Sequence, residues 1–233
     1  MFSNKCVVVT GGAGVLGVAV GDWFRQRGAR VAVLDYSDEI LAKAFPARDP
    51  KDLYIAVDLT KRADCKVAID RVIGSMGKVD VLCNVAGGFL MGDPVHETSD
   101  ETWDFLFNLN ARSILNMAAA VVPVMLKNGG GKIVSVAARA AHEGAARMGA
   151  YTASKAAVLR LTESMGLELR QQNINVNCVL PSVIDTPRNR ADMPKADFSK
   201  WVTPAAIAGV IGFLASDDAS VIHGAGIPVD GLS

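Results

Sequence analysis

Cys6-Val7-Val8-Val9-Thr10-Gly11-Gly12-Ala13-Gly14-Val15-Leu16-Gly17 decides the fold. The first five residues form a short β-branched run and read as a buried parallel strand. The glycines that follow read as a tight turn, and Val18 to Arg25 continue at helical spacing. A strand, a glycine turn and a helix start together aim free backbone N–H groups and the positive end of the helix dipole at an anion. An ordinary βα turn has the same letters, so the next element matters. Ala29 to Asp35 reads as a second buried strand that ends in an acid. Asp35 lies about 20 residues past the glycines, where a carboxylate accepts the ribose hydroxyls of an adenine dinucleotide. It also repels a 2′-phosphate, and Tyr36 and Ser37, not Arg or Lys, come next. The expected cofactor is NAD rather than NADP.

Outward from this unit the alternation continues. Leu53–Asp58, Val79–Asn84, Lys132–Ala138, Ile174–Leu180 and Gly226–Asp230 read as strands. Between them, Ala63–Met76, Asp100–Lys127, the helix from Tyr151 to Gln172, and Pro204–Ala215 read as helices. Ser182 to Trp201 reads as irregular and polar. The prediction is an α/β, doubly wound Rossmann fold over residues 1–233, one domain with a parallel sheet of about seven strands. Ligands in such sheets bind at the carboxyl ends of the strands, where the glycine turn, Asp35, Asp58, Asn84, Ala138 and Pro181 all fall.

Composition narrows the function classes. The chain has 233 residues, 50% of them hydrophobic, and a formal net charge of zero. That charge balance argues against nucleic acid or an anionic membrane surface as partner. No apolar run of about 18 residues is read that would span a bilayer. The N-terminal residues lack a signal-peptide pattern, so a cytoplasmic location is expected. Cys6, Cys65, Cys83 and Cys178 have no metal-ligand spacing and read as core thiols, with no metal site expected.

Gly149-Ala150-Tyr151-Thr152-Ala153-Ser154-Lys155 supplies the candidate chemistry. On a helix, Tyr151 and Lys155 share one face. An ammonium near a phenol favours phenolate and draws its pKa down toward neutrality, which suits a general acid or base. An exposed helix that happens to carry both residues has the same spacing.

Taken in order, Thr10-Gly11 to Gly17, Asp35, Asp58-Leu59, Asn84-Val85-Ala86-Gly87, Asn110, Tyr151 with Lys155, and Pro181 to Thr186 resemble the short-chain dehydrogenase/reductase family over essentially the whole chain. The resemblance implies roles. Thr10, Gly11, Leu16 and Gly17 form the pyrophosphate turn. Asp35 binds the adenosine ribose, Asp58 the adenine amine, and Leu59 flanks the ring. Asn84, Ala86 and Gly87 hold the fourth strand and touch the cofactor. Lys155 binds the nicotinamide ribose and tunes Tyr151, the acid/base, while Asn110 holds a proton-relaying water. Pro181, Ile184 and Thr186 grip the carboxamide. The stretch 187–201 becomes a short substrate lid, and the helix 100–127 with the Tyr151 helix forms a homodimer or homotetramer interface.

Four positions depart from the pattern. Val15 stands for the second glycine of the turn, Val85 for a frequent asparagine, and Ser182 for a common glycine. Ala138 stands 13 residues before Tyr151, where the family usually has its catalytic serine. That replacement is similar to dihydropteridine reductases within the family. Ser135 is no substitute, because a strand points it to the opposite face. Two readings stay open. One is an NAD(H)-dependent oxidoreductase acting on a small carbonyl or alcohol, or on a conjugated C=N or quinonoid substrate. The other is an NAD(H)-binding sensor with little or no turnover.

Overall fold

The computed structural model describes residues 1–233. Seven parallel strands form one sheet in the order β3-β2-β1-β4-β5-β6-β7. They are β1 (Cys6–Thr10), β2 (Arg30–Asp35), β3 (Leu53–Ala56), β4 (Val81–Asn84), β5 (Gly131–Val136), β6 (Ile174–Pro181) and β7 (Gly226–Val229). The order reverses between β1 and β4, so a crevice opens at the carboxyl ends of these two strands. This is the predicted doubly wound fold.

Alternation along the strands sorts the core into two layers. Cys6 and Val8 of β1 face one side and Val7 and Val9 the other, all fully buried. Helices α3 (Arg62–Met76), α5 (Ser113–Lys127) and α6 (Gly149–Leu169) cover the first side, with Ile69, Val72, Met117, Val121 and Val158 in its core. Helices α1 (Val15–Arg25) and α8 (Pro204–Leu214) cover the second, through Val20, Phe24, Ile207 and Ile211. The four cysteines are free and buried, and burial raises their thiol pKa values, Cys6 to about 12.

Four expectations need correction. A short helix α2 (Asp38–Ala44) lies between β2 and β3, capped by Ser37, whose hydroxyl accepts from Ile40 N–H. The predicted helix 100–127 is broken: α4 (Asp100–Phe107) and α5 are joined by a π-helical turn over Asn108–Arg112. The stretch after β6 is less irregular than expected. It holds a helix α7 (Pro187–Asp192), capped by the Thr186 hydroxyl, and a parallel bridge between Ile184 and Val202. Finally, the run Asp100–Lys127 is apolar and long enough, by length and composition, to cross a membrane. In this fold its inward residues Ile114, Met117, Val121 and Met125 are core instead.

Candidate active site

One cleft of about 1470 Å³ runs along the carboxyl ends of the strands. It starts at the glycine turn. Helix α1 begins at Val15, three residues earlier than predicted, and the N–H groups of Val15, Leu16 and Gly17 precede the first intrahelical bond. All three residues line the cleft. Gly17 has no alternative, because a Cβ there would lie 2.1 Å from the Gly11 carbonyl oxygen. Val15, at the departure from the family pattern, is the first helical residue, with its side chain half exposed on the cleft.

Asp35 ends β2 beside this turn. Its Oδ2 accepts from Ala13 N–H at 2.9 Å and its Oδ1 from Tyr36 N–H at 2.8 Å. The carboxylate therefore braces the turn and also lines the cleft. Asp58 follows β3. Its Oδ1 accepts from the Thr60 hydroxyl at 2.6 Å and its Oδ2 faces Lys61 Nζ at 3.3 Å. The Thr60 bond, aided by Lys61, holds the carboxyl below its ordinary range. Leu59 is buried and lines the cleft beside it.

The motif residues split into those that line the cleft and those behind it. Gly11, Leu16, Gly17, Asp35, Asp58, Leu59, Ala86, Gly87, Tyr151, Lys155, Pro181, Ile184 and Thr186 line it. Thr10, Asn84 and Asn110 stand behind. The Thr10 hydroxyl accepts from the Val85 and Ala86 N–H groups at 3.1 and 3.3 Å, which ties β1 to the end of β4. Asn84 donates to the Ser135 hydroxyl at 3.2 Å. That bond commits Ser135 to the sheet interior, where it is fully buried.

Asn110 sits in the π turn and is fully buried. Its Oδ1 accepts from Gly88 N–H at 2.8 Å, and its Nδ2 donates to the Gly88 carbonyl at 3.1 Å and to the Ser154 hydroxyl at 2.9 Å. Asn110 Oδ1 and Lys155 Nζ meet at Gly87, 3.0 and 3.1 Å from where its Cβ would stand. Single-turn π insertions recur at functional sites, and here one carries a site asparagine to the cleft's back wall.

Tyr151 and Lys155 lie one turn apart in α6, as predicted, and both line the cleft. The expected tuning is absent from the protein alone. Lys155 Nζ donates to the Val136 carbonyl at 3.0 Å. Burial lowers the lysine from its ordinary 10.5 to about 8. Burial also pushes the Tyr151 phenol up to about 12. Desolvation sets the direction of the phenol's shift, and the lysine amine is bonded to the Val136 carbonyl rather than to the phenol. Ala138, just past the end of β5, presents its methyl to the cleft.

Arg188, Asn189 and Met193, from the stretch 187–201 expected as a lid, line the far wall. Sequence reasoning missed Phe89, Met91, Phe105 and Met148, which line it too. They lie on loops and short helices with no periodic pattern, and the nearest sequence signal was Phe89's place directly after the Asn84–Gly88 motif. Arg139 lines the cleft and donates to the Ser233 carbonyl at 3.0 Å. His142 is exposed and does not line the cleft.

The fold is shared with known proteins. The family model for short chain dehydrogenase matches residues 5–197. The NAD-dependent glycerol dehydrogenase of Listeria innocua is 32% identical over 239 residues, covering 99% of this chain and 94% of the relative. Levodione reductase superposes with a TM-score of 0.92 at 25% identity, over 99% of this chain and 98% of that one. The 3-ketoacyl-(acyl-carrier-protein) reductase from Brucella melitensis, solved in complex with NADH, gives a TM-score of 0.89 at 26% identity, covering 98% of both chains. From the glycine turn through the Tyr151–Lys155 helix, the chain belongs to the short-chain dehydrogenase family.

Proposed function

We propose that this protein is an NAD(H)-dependent oxidoreductase with Tyr151 as its acid/base. Its substrate is a small carbonyl or alcohol, or a conjugated C=N or quinonoid compound. The observation that carries the reading is the placement of Tyr151 and Lys155 in one cleft with the glycine turn and Asp35. The residues suit a dinucleotide. Val15, Leu16 and Gly17 offer backbone N–H groups to a pyrophosphate, and Gly17, with no room for a Cβ against Gly11, lets the turn close tightly on the helix start. Asp35 at the strand end favours a ribose with free hydroxyls, hence NADH over NADPH. Bound there, NADH supplies the hydride.

The chain's own residues handle the proton. Tyr151, with its pKa near 12, is protonated at neutral pH and ready to donate to an oxygen that is gaining negative charge. Lys155 lies within reach of the same wall, and Asn110 fixes Gly88 and the Ser154 hydroxyl around it. Pro181, Ile184 and Thr186 form the wall expected to hold the carboxamide. The stretch 187–201 serves as the substrate lid, through Arg188, Asn189 and Met193. Exposed Trp103, Leu115 and Leu126 along α4 and α5, with Leu167 on α6, suit burial in a homodimer or homotetramer.

A second reading, NAD(H) binding without turnover, is favoured by one observation, the methyl of Ala138 where a hydroxyl would assist the substrate oxygen. Tyr151→Phe separates the two. NADH binding should persist while turnover of ketones and quinonoid dihydropterin falls by roughly 10²–10⁴. Full turnover in the variant would refute the acid/base role, and tight NADH binding by the parent with no turnover on any substrate would establish the sensor.

A further inference from the structure

The cleft changes chemistry beyond Tyr151. Toward the glycine turn it offers backbone N–H groups and carboxylates. Past Tyr151 the wall is apolar: Phe89, Met91, Phe105, Leu109, Met148 and Met193 line it. Phe89 stands beside Tyr151. Its ring centroid lies 4.8 Å from that of Tyr151, with the planes 85° apart, and 53% of the residue is exposed. The preceding residue explains how an open aromatic ring is held there. Asn110 grips both the N–H and the carbonyl of Gly88. Gly88 has no room for a side chain, because a Cβ would come 2.8 Å from the Phe105 ring. A second aromatic ring thereby closes on the same wall.

Several of the polar side chains that also line this end already hold a partner. The Ser182 hydroxyl donates to the Asp230 carbonyl at 2.7 Å, Asn189 Nδ2 to the Ile184 carbonyl at 2.8 Å, and Arg139 to the Ser233 carbonyl at 3.0 Å. Arg188 pairs with Asp192 at 2.7 Å. Glu143 is exposed. A polyhydroxylated substrate would lose water from several hydroxyls and find few free partners. A flat ring would instead exchange water for Phe89, Phe105 and the adaptable methionines. Two rings at right angles also form a corner, with one face to stack on and one edge to point at.

We propose that the substrate is a flat, ring-bearing ketone, or the matching secondary alcohol, and that Phe89 is the residue that selects it. This rests on the oxidoreductase reading above. In the reducing direction hydride from NADH goes to the carbonyl carbon and the Tyr151 proton to its oxygen. The ketone is reduced to the alcohol and NADH oxidised to NAD⁺.

The test compares 1-indanone with dihydroxyacetone, both with NADH, in the parent, Phe89→Ala and Phe89→Tyr. The parent should favour 1-indanone in kcat/KM by about tenfold or more. Phe89→Ala should erase most of that preference through KM with NADH binding unchanged, and Phe89→Tyr should restore it. Equal or better use of dihydroxyacetone, or an unchanged ratio in Phe89→Ala, would overturn the proposal. If neither compound turns over, calorimetric binding of 1-indanone to the NADH complex decides the inference, while the wider substrate panel above decides the oxidoreductase reading. Binding weakened by Phe89→Ala upholds ring selection, while no binding, with NADH bound normally, overturns it.

Discussion

Lys155 gives its Nζ–H to the carbonyl of Val136, 3.0 Å away at the end of β5, and not to the phenol one turn before it. The ammonium is buried, and burial lowers its pKa to about 8. The unfolded chain, with lysine near 10.5, therefore binds more protons between about pH 8 and 10.5, so stability rises with pH across that window. Lys155→Met should stabilise the cofactor-free protein at pH 7 by about 2 kcal/mol. The gain should shrink as pH approaches 10. Thermal unfolding at the two pH values checks this, and an equal gap at both would contradict it.

Tyr151, raised to about 12, sets the pH dependence of the two directions apart. Reduction needs the phenol protonated, and that form predominates through neutral pH. Oxidation needs the phenolate, whose fraction grows about tenfold per unit below the pKa. Between pH 6 and 8, kcat/KM for ketone reduction should stay level while alcohol oxidation climbs. Initial rates in both directions provide the measurement; a flat oxidation profile would show that proton transfer to Tyr151 is not involved.

Asp35 has two tasks, bracing Ala13 N–H and facing the cleft. Asp35→Ala should weaken NADH by about tenfold and NADPH by less, as repulsion of a 2′-phosphate disappears. Fluorescence titration of both dinucleotides gives the ratio. An unaltered ratio would remove Asp35 from the ribose site.

Ala138 lines the cleft on extended backbone. Ala138→Ser places a hydroxyl where charge would develop on the substrate oxygen, so kcat/KM for simple ketones should rise by up to about 10². Unchanged or lower activity would mean that position 138 does not face the reacting oxygen.

The fold was legible because buried parallel strands announce themselves as β-branched runs, and Cys6–Thr10 and Ile174–Pro181 fall where those runs are. Helix α2 is short and lacks an apolar stripe, so its signal is confined to Ser37, Asp38 and Glu39, an N-terminal cap with an acidic first turn. The dinucleotide half of the site was readable for the same reason as the fold, because glycines and strand-end acids sit at fixed offsets. The substrate half was not. Phe89 and Met193 reach the cleft through loop geometry that depends on Asn110, Gly88 and the Ile184–Val202 bridge. The Tyr151–Lys155 spacing was visible, but the direction of the phenol's shift was not. That depends on how deeply each group is buried, which spacing does not report.

The π turn at Asn108–Arg112 separates two tasks within one helical rod. Each residue of a regular helix advances about 100° around its axis, so an inserted residue changes the phase between the segments on either side. Phe105 of α4 can thus serve the cleft while Ile114 and Met117 of α5 stay in register with the sheet. The cleft-facing residues of α4 and the sheet-facing residues of α5 need not share one helical phase. A specificity wall can diverge on one side of Asn110 while the scaffold on the other side stays fixed.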